Sequence, residues 1–137
     1  MKKIRIIAVG SIKEKYLIQA IDEYLKRLKK FCKIEIIEIQ ENDDIKKFGT
    51  IDFLFDIKGE LITSENLSSI LDKQYIYADT VTFLIGGSHG FSEETKKSAK
   101  NRISFGLVTY PHQLFRVLVL EQIYRSFSIV QGLPYHK

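Results

Sequence analysis

Apolar and polar residues follow two different rhythms along the chain, and these rhythms predict strands and helices in turn. Lys3 to Val9 is mostly apolar and β-branched and ends at Gly10, which predicts a buried strand. From Lys13 to Lys30 the apolar residues recur every three or four positions, as in an amphipathic helix. Lys33 to Ile39 and Ile51 to Ile57 alternate polar with apolar residues, so each predicts a further strand.

The middle of the chain is less regular. Residues 41–50 predict a short polar connection with at most one helical turn around Ile45 and Phe48. Either Thr63 or Ser64 is expected to cap the helix that follows, because short hydroxyl side chains satisfy the first free backbone N–H groups of a helix.

The C-terminal third repeats the alternation. Val81 to Ile85 predicts a strand, which is followed by a glycine-bearing loop at 86–90 and a helix opened by Ser92. A second strand and loop follow over 103–110, and Pro111 is expected at the first position of the last helix. Strands that alternate with helices of this length predict an α/β domain, with a mainly parallel sheet covered by helices on both faces.

Length and composition favour one globular domain spanning residues 1–137. The single cysteine, Cys32, cannot form an internal disulfide, so a reduced cytoplasm is the expected location. We expect no signal peptide and no membrane span, because no apolar run approaches about 20 residues.

The net charge of +4 permits an anionic partner without demanding one. The basic run Lys26–Lys30 favours a solvated helix end over an RNA contact.

In α/β sheets a ligand lies in the crevice beyond the carboxyl ends of the strands. Three loops qualify here, those after Phe55–Asp56, after Leu84–Ile85 and after Phe105. Two of them carry glycines, at 86, 87, 90 and 106, which suit close approach of the backbone to a ligand. Any one of these glycines alone is equally well explained as an ordinary turn residue, but the convergence of all three loops favours a ligand site.

The motifs that are missing from these loops, and the acidic start of the next helix, narrow the class of ligand. Neither a dinucleotide fingerprint nor a P-loop is present. The helix opened by Ser92 begins with Glu93 and Glu94, whose carboxylates would repel a phosphate at the helix start. A nucleoside without phosphate and with a positive centre, such as S-adenosylmethionine, fits better. His89 and the other histidines lack ligand partners at zinc spacing, so no metal is expected. A serine hydrolase is disfavoured because the nucleophile elbow is missing.

The last helix predicts a partner. Its first apolar face suits the sheet, and a second group of apolar residues lies elsewhere on the helix. A helix that is apolar on two faces must be covered twice, and a symmetric dimer would do so. The first face contains Val117, Leu120, Ile123, Tyr124 and Phe127, and the second group contains Leu114, Phe115 and Leu118.

Charged and aromatic residues near the C-terminus supply the candidate chemistry. Arg116 lies on a mainly apolar stripe, either reaching out of it to solvent or gripping a phosphate or base beside the pocket. Arg125 is expected to pair with Glu121 at four-residue spacing. Tyr135 and His136 in the tail could stack on a base and exchange a proton.

These same residues resemble a known family. Four segments, 85–92, 110–117, 120–127 and 132–137, are similar to the RlmH-type SPOUT methyltransferases. The segments 8–10 and 23–28 match as well, so the resemblance covers nearly the whole chain. It implies a SPOUT-type α/β fold with a C-terminal trefoil knot, a homodimer, and S-adenosylmethionine as the methyl donor. It also implies methylation of N3 of a pseudouridine in 23S ribosomal RNA of assembled ribosomes.

The resemblance also assigns site residues by position. Donor-binding positions are Phe55, Gly86, Phe105, Gly106, Leu107, Val108, Thr109 and Tyr110. Arg116, Tyr135 and His136 fall at positions associated with the target nucleotide. Two departures stand out, since family members usually carry leucine at the place of Phe55 and have a longer segment at 41–50.

His136, or a water that it orients, is the candidate acceptor of the N3 proton, with Arg116 favouring the developing anion. A ribosome-binding factor that keeps the fold without transferring methyl groups is the alternative. A dinucleotide-dependent oxidoreductase is disfavoured by the acidic helix start and the missing fingerprint.

Overall fold

One five-stranded sheet forms the centre of the protein, whose computed structural model describes residues 2–137. Its strands are β1 (Lys3–Val9), β2 (Lys33–Ile39), β3 (Phe53–Leu61), β4 (Thr80–Ile85) and β5 (Asn101–Ser104). They lie in the order β2-β1-β4-β3-β5, and every neighbouring pair is parallel. The predicted parallel α/β sheet is therefore confirmed, and all the strands end at the same edge.

Three helices connect strands, namely α1 (Lys15–Leu28), α2 (Ser64–Tyr77) and α3 (Glu93–Ser98), and a fourth, α4 (His112–Val130), follows the last strand. A 3-10 turn, Lys46–Phe48, confirms the single turn expected in the middle segment. Thr63 caps α2 and Ser92 caps α3, each accepting a backbone N–H three residues ahead. Pro111 lies one position earlier than predicted, because its ψ of 130° is extended and leaves it as the cap of α4.

Helices and turns cover the two faces of the sheet unequally. On one face, α4 lies beside both α1 and α2, and the three long helices bury the larger core cluster. On the other face, Ile7, Leu54 and Leu84 are buried beneath short segments that contribute Phe48 and Phe91. Each fully buried side chain of this size contributes about 1.5–3 kcal/mol. The prediction of cover on both faces is thus confirmed.

Residues of the same chain cover α4 more completely than we predicted from the two apolar faces of this helix. Phe115 packs among other aromatic rings, and Leu118 is half-buried opposite the start of α2. Of the three second-face residues only Leu114 is exposed, at 38%. The second face alone therefore does not require a partner subunit.

β3 is longer and less regular than predicted, because it continues to Leu61 after a bulge. Phe55 and Glu60 are both opposite Ile103 of β5, so residues 56–59 bulge out of the ladder. Gly59 makes this possible, since a Cβ there would lie 2.8 Å from the carbonyl carbon of Arg102. The bulge projects residues from the edge where the strands end.

Two expectations concern the chain as a whole, namely the absence of a membrane span and the presence of a C-terminal trefoil knot. Within residues 2–137, no helix is both long and apolar enough to cross a membrane. The trefoil knot stays a prediction.

Candidate active site

A cavity of about 290 Å³ lies at the edge of the sheet where the strands end. The β3 bulge, the loop after β4 and the loop after β5 surround it, as the sequence predicted for a ligand crevice. We call it the donor cavity. Of the eight predicted donor-binding residues, seven line it: Phe55, Gly86, Phe105, Gly106, Val108, Thr109 and Tyr110. Leu107 does not, and it is 76% exposed.

Aromatic rings form one wall of the donor cavity. Phe55 meets Phe105 edge to face at a centroid separation of 5.1 Å, and Phe115 at 5.3 Å. The ring of Tyr110 lies 5.6 Å from that of Phe115. Such pairs each contribute about 0.5–1.5 kcal/mol beyond their buried area, so they fix the shape of the wall. Phe115 was not predicted as a site residue, although its position one turn after Pro111 places it at this edge.

Backbone geometry at two glycines shapes other parts of the cavity. A Cβ at Gly86 would lie 3.0 Å from the ring of Phe91, so a side chain there would crowd this ring. Gly106 has a φ of 122°, which disfavours a side chain. The Ser104 hydroxyl holds the turn, donating to the Gly106 carbonyl and accepting the Gly106 N–H. Exposed backbone and an aromatic wall together suit a planar heterocycle.

A charged cluster from the bulge and α3 forms the remaining wall. Asp56 accepts a hydrogen bond of 2.9 Å from Arg102, and Lys96 Nζ lies 3.7 Å from the same carboxylate oxygen. Burial raises the pKa of Asp56, but the hydrogen bonds from Arg102 and the Lys58 N–H, with the nearby cations, outweigh it and lower that pKa overall. Asp56 and Lys96 line the cavity, and neither was predicted as a site residue.

Arg116 does not line the donor cavity within one chain. Only 3% exposed, it donates to Glu38 Oε2 at 2.6 Å and to the Gly10 carbonyl at 3.1 Å. The prediction that it reaches out to solvent is therefore wrong. Its guanidinium instead ties the start of α4 to the ends of β1 and β2, because those two acceptors lie close together beside it. Among the described residues its Nε has no hydrogen-bond partner.

Tyr135 also lies outside the donor cavity, folded back against α4. Its hydroxyl donates to Glu121 Oε2 at 2.6 Å, and Arg125 lies 4.8 Å above its ring. Burial, followed by the hydrogen bond to Glu121, raises the pKa of Tyr135 well above its usual range. Arg125 forms the predicted pair with Glu121, at 2.8 Å. We call Glu65, Glu121, Arg125, Tyr135 and His136 the tail latch.

His136 completes the tail latch, and its neighbours determine its tautomer. Arg125 Nη1 lies 3.0 Å from Nδ1, and since an arginine can only donate, Nδ1 is the acceptor. Nε2 then carries the proton and donates to Glu65 Oε1 at 2.5 Å. That hydrogen bond is the main reason that the pKa of Glu65 is lowered. Neither imidazole nitrogen is free while the tail is docked in this way.

Comparison with known sequences assigns the family. A family model described as "Predicted SPOUT methyltransferase" matches residues 1–136. The "Ribosomal RNA large subunit methyltransferase H" of Caldicellulosiruptor saccharolyticus is 42% identical over 153 aligned positions, covering 98% of this chain and 99% of that one. The protein of the same name from Oenococcus oeni is 46% identical over 160 positions, with full coverage of both chains.

The alignments also bear on the shortened middle segment. The first spans 153 positions against 137 residues here, so at least 16 positions of that relative have no counterpart in this chain. Their location at residues 41–50 stays a prediction.

A solved structure shares the fold. The structure titled "a probable methylase family protein from Haemophilus influenzae Rd KW20" superposes with a TM-score of 0.56 and 9% identity. The match covers 94% of this chain and 66% of that one, and at this identity it shows the fold alone. Together with the family match over 136 residues and the full-length relatives, it leads to one conclusion: this chain belongs to the SPOUT methyltransferase family.

Proposed function

We propose that the protein transfers a methyl group from S-adenosylmethionine to N3 of a pseudouridine in 23S ribosomal RNA of assembled ribosomes. Similarity over the full length to proteins named ribosomal RNA large subunit methyltransferase H carries this proposal. The substrate would place its action in the cytoplasm, where ribosomes are.

The donor cavity suits S-adenosylmethionine. Its aromatic wall and the exposed backbone after β5 match a purine, and the space beside Gly86 is one that a Cβ would fill. Phe55, Gly86, Phe105, Gly106 and residues 108–110 would hold the donor, with Phe55 in place of the family's usual leucine. When bound, S-adenosylmethionine supplies a methyl group on a positively charged sulfur, which leaves as a neutral thioether.

The chain's part in the transfer is to position the acceptor and take up its proton. N3 of the pseudouridine loses a proton as its bond to the methyl carbon forms, so a base must lie within hydrogen-bond reach of N3. We assign this role to His136 or a water that it orients, with Tyr135 stacking on the base and Arg116 favouring the anion. The docked tail leaves His136 no free nitrogen, so the tail latch must open first.

A homodimer would bring a second tail to the rim of each donor cavity. Apolar residues at and near this rim are exposed without a cover from their own chain, among them Ile57, Leu107, Val108 and Leu114. Val108 is 64% exposed and Leu107 76%. Because a patch of this kind at a cavity mouth favours an interface, we propose that a second copy lies there.

Ribosomal RNA from a strain that lacks the gene tests the reaction. Mass mapping should find one unmethylated pseudouridine, and restoring the gene should restore its methyl group. Restoring the His136→Ala variant should slow single-turnover transfer by about 10²–10⁴-fold and change its pH profile. An unchanged rate and profile would remove His136 from the mechanism.

A ribosome-binding factor without transferase activity is the second candidate. The absence of at least 16 aligned positions relative to the Caldicellulosiruptor protein favours it, because substrate contacts from that region would be missing. Calorimetry with S-adenosylmethionine separates the two functions. A factor that has lost transfer should give no heat of binding, whereas a methyltransferase should give a saturable isotherm.

A further inference from the structure

The charged wall of the donor cavity is unlike the rest of its lining. Asp56 and Lys96 bring opposite charges to a lining whose other members are aromatic, apolar or glycine, together with the polar side chains of Ser88, Ser104, Thr109 and His112. The two side chains are mostly withdrawn from solvent, at 8% and 19% exposure. Charges with so little water around them are expected to be paired or to serve a ligand.

Lys96 keeps its hydrogen-bonding capacity in this arrangement. Within residues 2–137 its ammonium has two ion-pair partners, Asp56 and Glu93, each at 3.7 Å. Both separations exceed the length of an N–H···O hydrogen bond, so the three donors of Nζ remain available. Asp56, by contrast, is anchored, because Arg102 and the Lys58 N–H both donate to it.

The two opposite charges of Asp56 and Lys96 favour a ligand that itself carries both charges. A phosphate would gain Lys96 but would face the carboxylates of Asp56 and Glu93. An α-amino acid group carries a carboxylate and an ammonium on one carbon, so it can accept from Lys96 while presenting its own cation to Asp56. Of the two ends of S-adenosylmethionine, only the methionyl end has this character.

We propose that Lys96 binds the carboxylate of the methionyl end of S-adenosylmethionine and that Asp56 faces its ammonium. The inference rests on the proposed function, and it assigns the donor's orientation in the cavity. The adenine lies against the aromatic wall, and the amino acid end lies between the β3 bulge and α3. Lys96 is then the residue that distinguishes the intact donor from one lacking the carboxylate.

Calorimetry with two ligands and three proteins tests this assignment. The ligands are S-adenosylmethionine and its decarboxylated analogue, which keeps the sulfonium and the amine. The proteins are the full chain, its Lys96→Met variant and a matched Lys97→Met variant, since Lys97 is an exposed neighbour on α3. Loss of a charge-assisted hydrogen bond should weaken binding of S-adenosylmethionine to the Lys96→Met variant by about 10- to 100-fold.

The decarboxylated analogue supplies the decisive comparison. The unmodified protein should prefer S-adenosylmethionine to this analogue by a similar factor, and the preference should disappear in the Lys96→Met variant. The Lys97→Met variant should keep it. Equal weakening of both ligands by Lys96→Met, or no preference in the unmodified protein, would overturn the assignment. No binding of S-adenosylmethionine by the unmodified protein would instead contradict the proposed function.

Discussion

The donor cavity and the predicted acceptor residues are built in opposite ways. Backbone turns and aromatic rings at the strand ends form the cavity, and it stays open in a single chain. Arg116, Tyr135 and His136 are instead engaged by side chains of their own chain, namely Glu38, Glu121, Arg125 and Glu65. The difference indicates that the donor site is preformed, whereas the acceptor site must be assembled.

Assembly can come from RNA, from a second copy, or from both. His136 is the weakly held part of the tail latch, because its hydrogen bond to Glu65 lies at the exposed surface, where such contacts contribute little to stability. Arg116 differs, since it is buried and would lose its partners on moving. Arg116 is therefore expected to stay in its position beside Glu38 and Gly10, whereas Tyr135 and His136 move with the tail.

The largest effect is expected from Arg116→Met. Removing this buried guanidinium takes hydrogen bonds from the Gly10 carbonyl and from Glu38, which stays in contact with water at 45% exposure, so the free energy of unfolding should fall by about 2–3 kcal/mol. Chemical denaturation measures this loss. Arg27→Met is the matched control, because Arg27 pairs with Glu23 at the surface and its loss should cost much less stability than the loss of Arg116.

A double variant sharpens the role of Arg116. Adding Glu38→Gln to Arg116→Met removes the unpaired carboxylate and should recover part of the stability. If methyl transfer recovers in parallel, Arg116 acts only as a structural tie. Transfer that stays lost in the restabilised protein would place the guanidinium at the acceptor. A stability loss equal to that of Arg27→Met would contradict the buried tie itself.

The next largest effect is expected at Gly106, on the donor side. A side chain at a φ of 122° is strained by about 1–3 kcal/mol, so Gly106→Ala should distort the loop that lines the cavity. We expect the affinity for S-adenosylmethionine to fall by about 10- to 100-fold in calorimetry.

Gly49→Ala controls for strain alone. Gly49 has a φ of 75° and lies outside the donor cavity, so this variant should lose stability while keeping donor affinity. Equal loss of donor affinity in the two variants would mean that the cavity is not preformed by its own loop.

The donor side was largely predictable because its signals are local. Glycines after a strand and Pro111 before a helix restrict the backbone directly, and β1 and β2 have the bounds that their apolar pattern predicted. What was missed is the continuation of β3, since Lys58 and Gly59 interrupt its alternation. Asp56 and Lys96 were not predicted as site residues, because the bulge brings together two side chains that are 40 residues apart in the sequence.

The acceptor side could not be predicted in the same way. Arg116 is 78 residues from Glu38, and His136 is 71 from Glu65, so no spacing rule connects them. The Glu121–Arg125 pair was predicted because four residues separate its members along one helix. Contacts between side chains of distant elements depend on the packing of α1, α2 and α4, which a single sequence does not encode locally.

The pH dependence of the free energy of unfolding tests the charged wall of the donor cavity, with a smaller expected effect. The pKa of Asp56 is lowered in the folded protein from an ordinary value of 3.8, so its contribution is present above about pH 4 and lost as the pH falls through the lowered value. Asp56→Asn should therefore reduce the free energy of unfolding by about 1.5 kcal/mol at pH 7. The difference from the unmodified protein should shrink below pH 3.8. A difference independent of pH would mean that the Asp56 carboxylate is not stabilised by Arg102.

The smallest effect is expected from Glu65→Ala, which weakens the tail latch without touching the donor cavity. Because His136 Nε2 loses its acceptor, the docked tail becomes less populated and the proposed base is free more often. Surface contacts of this kind are weak, so the rise in single-turnover transfer should not exceed about fivefold. Donor affinity should stay the same.

Asp72→Ala is the control, because Asp72 lies on the exposed side of the same helix α2, and it should change neither the rate of transfer nor the donor affinity. A slower transfer in Glu65→Ala would reverse the interpretation, since it would show that Glu65 orients His136 for proton transfer and that the docked tail is the active arrangement.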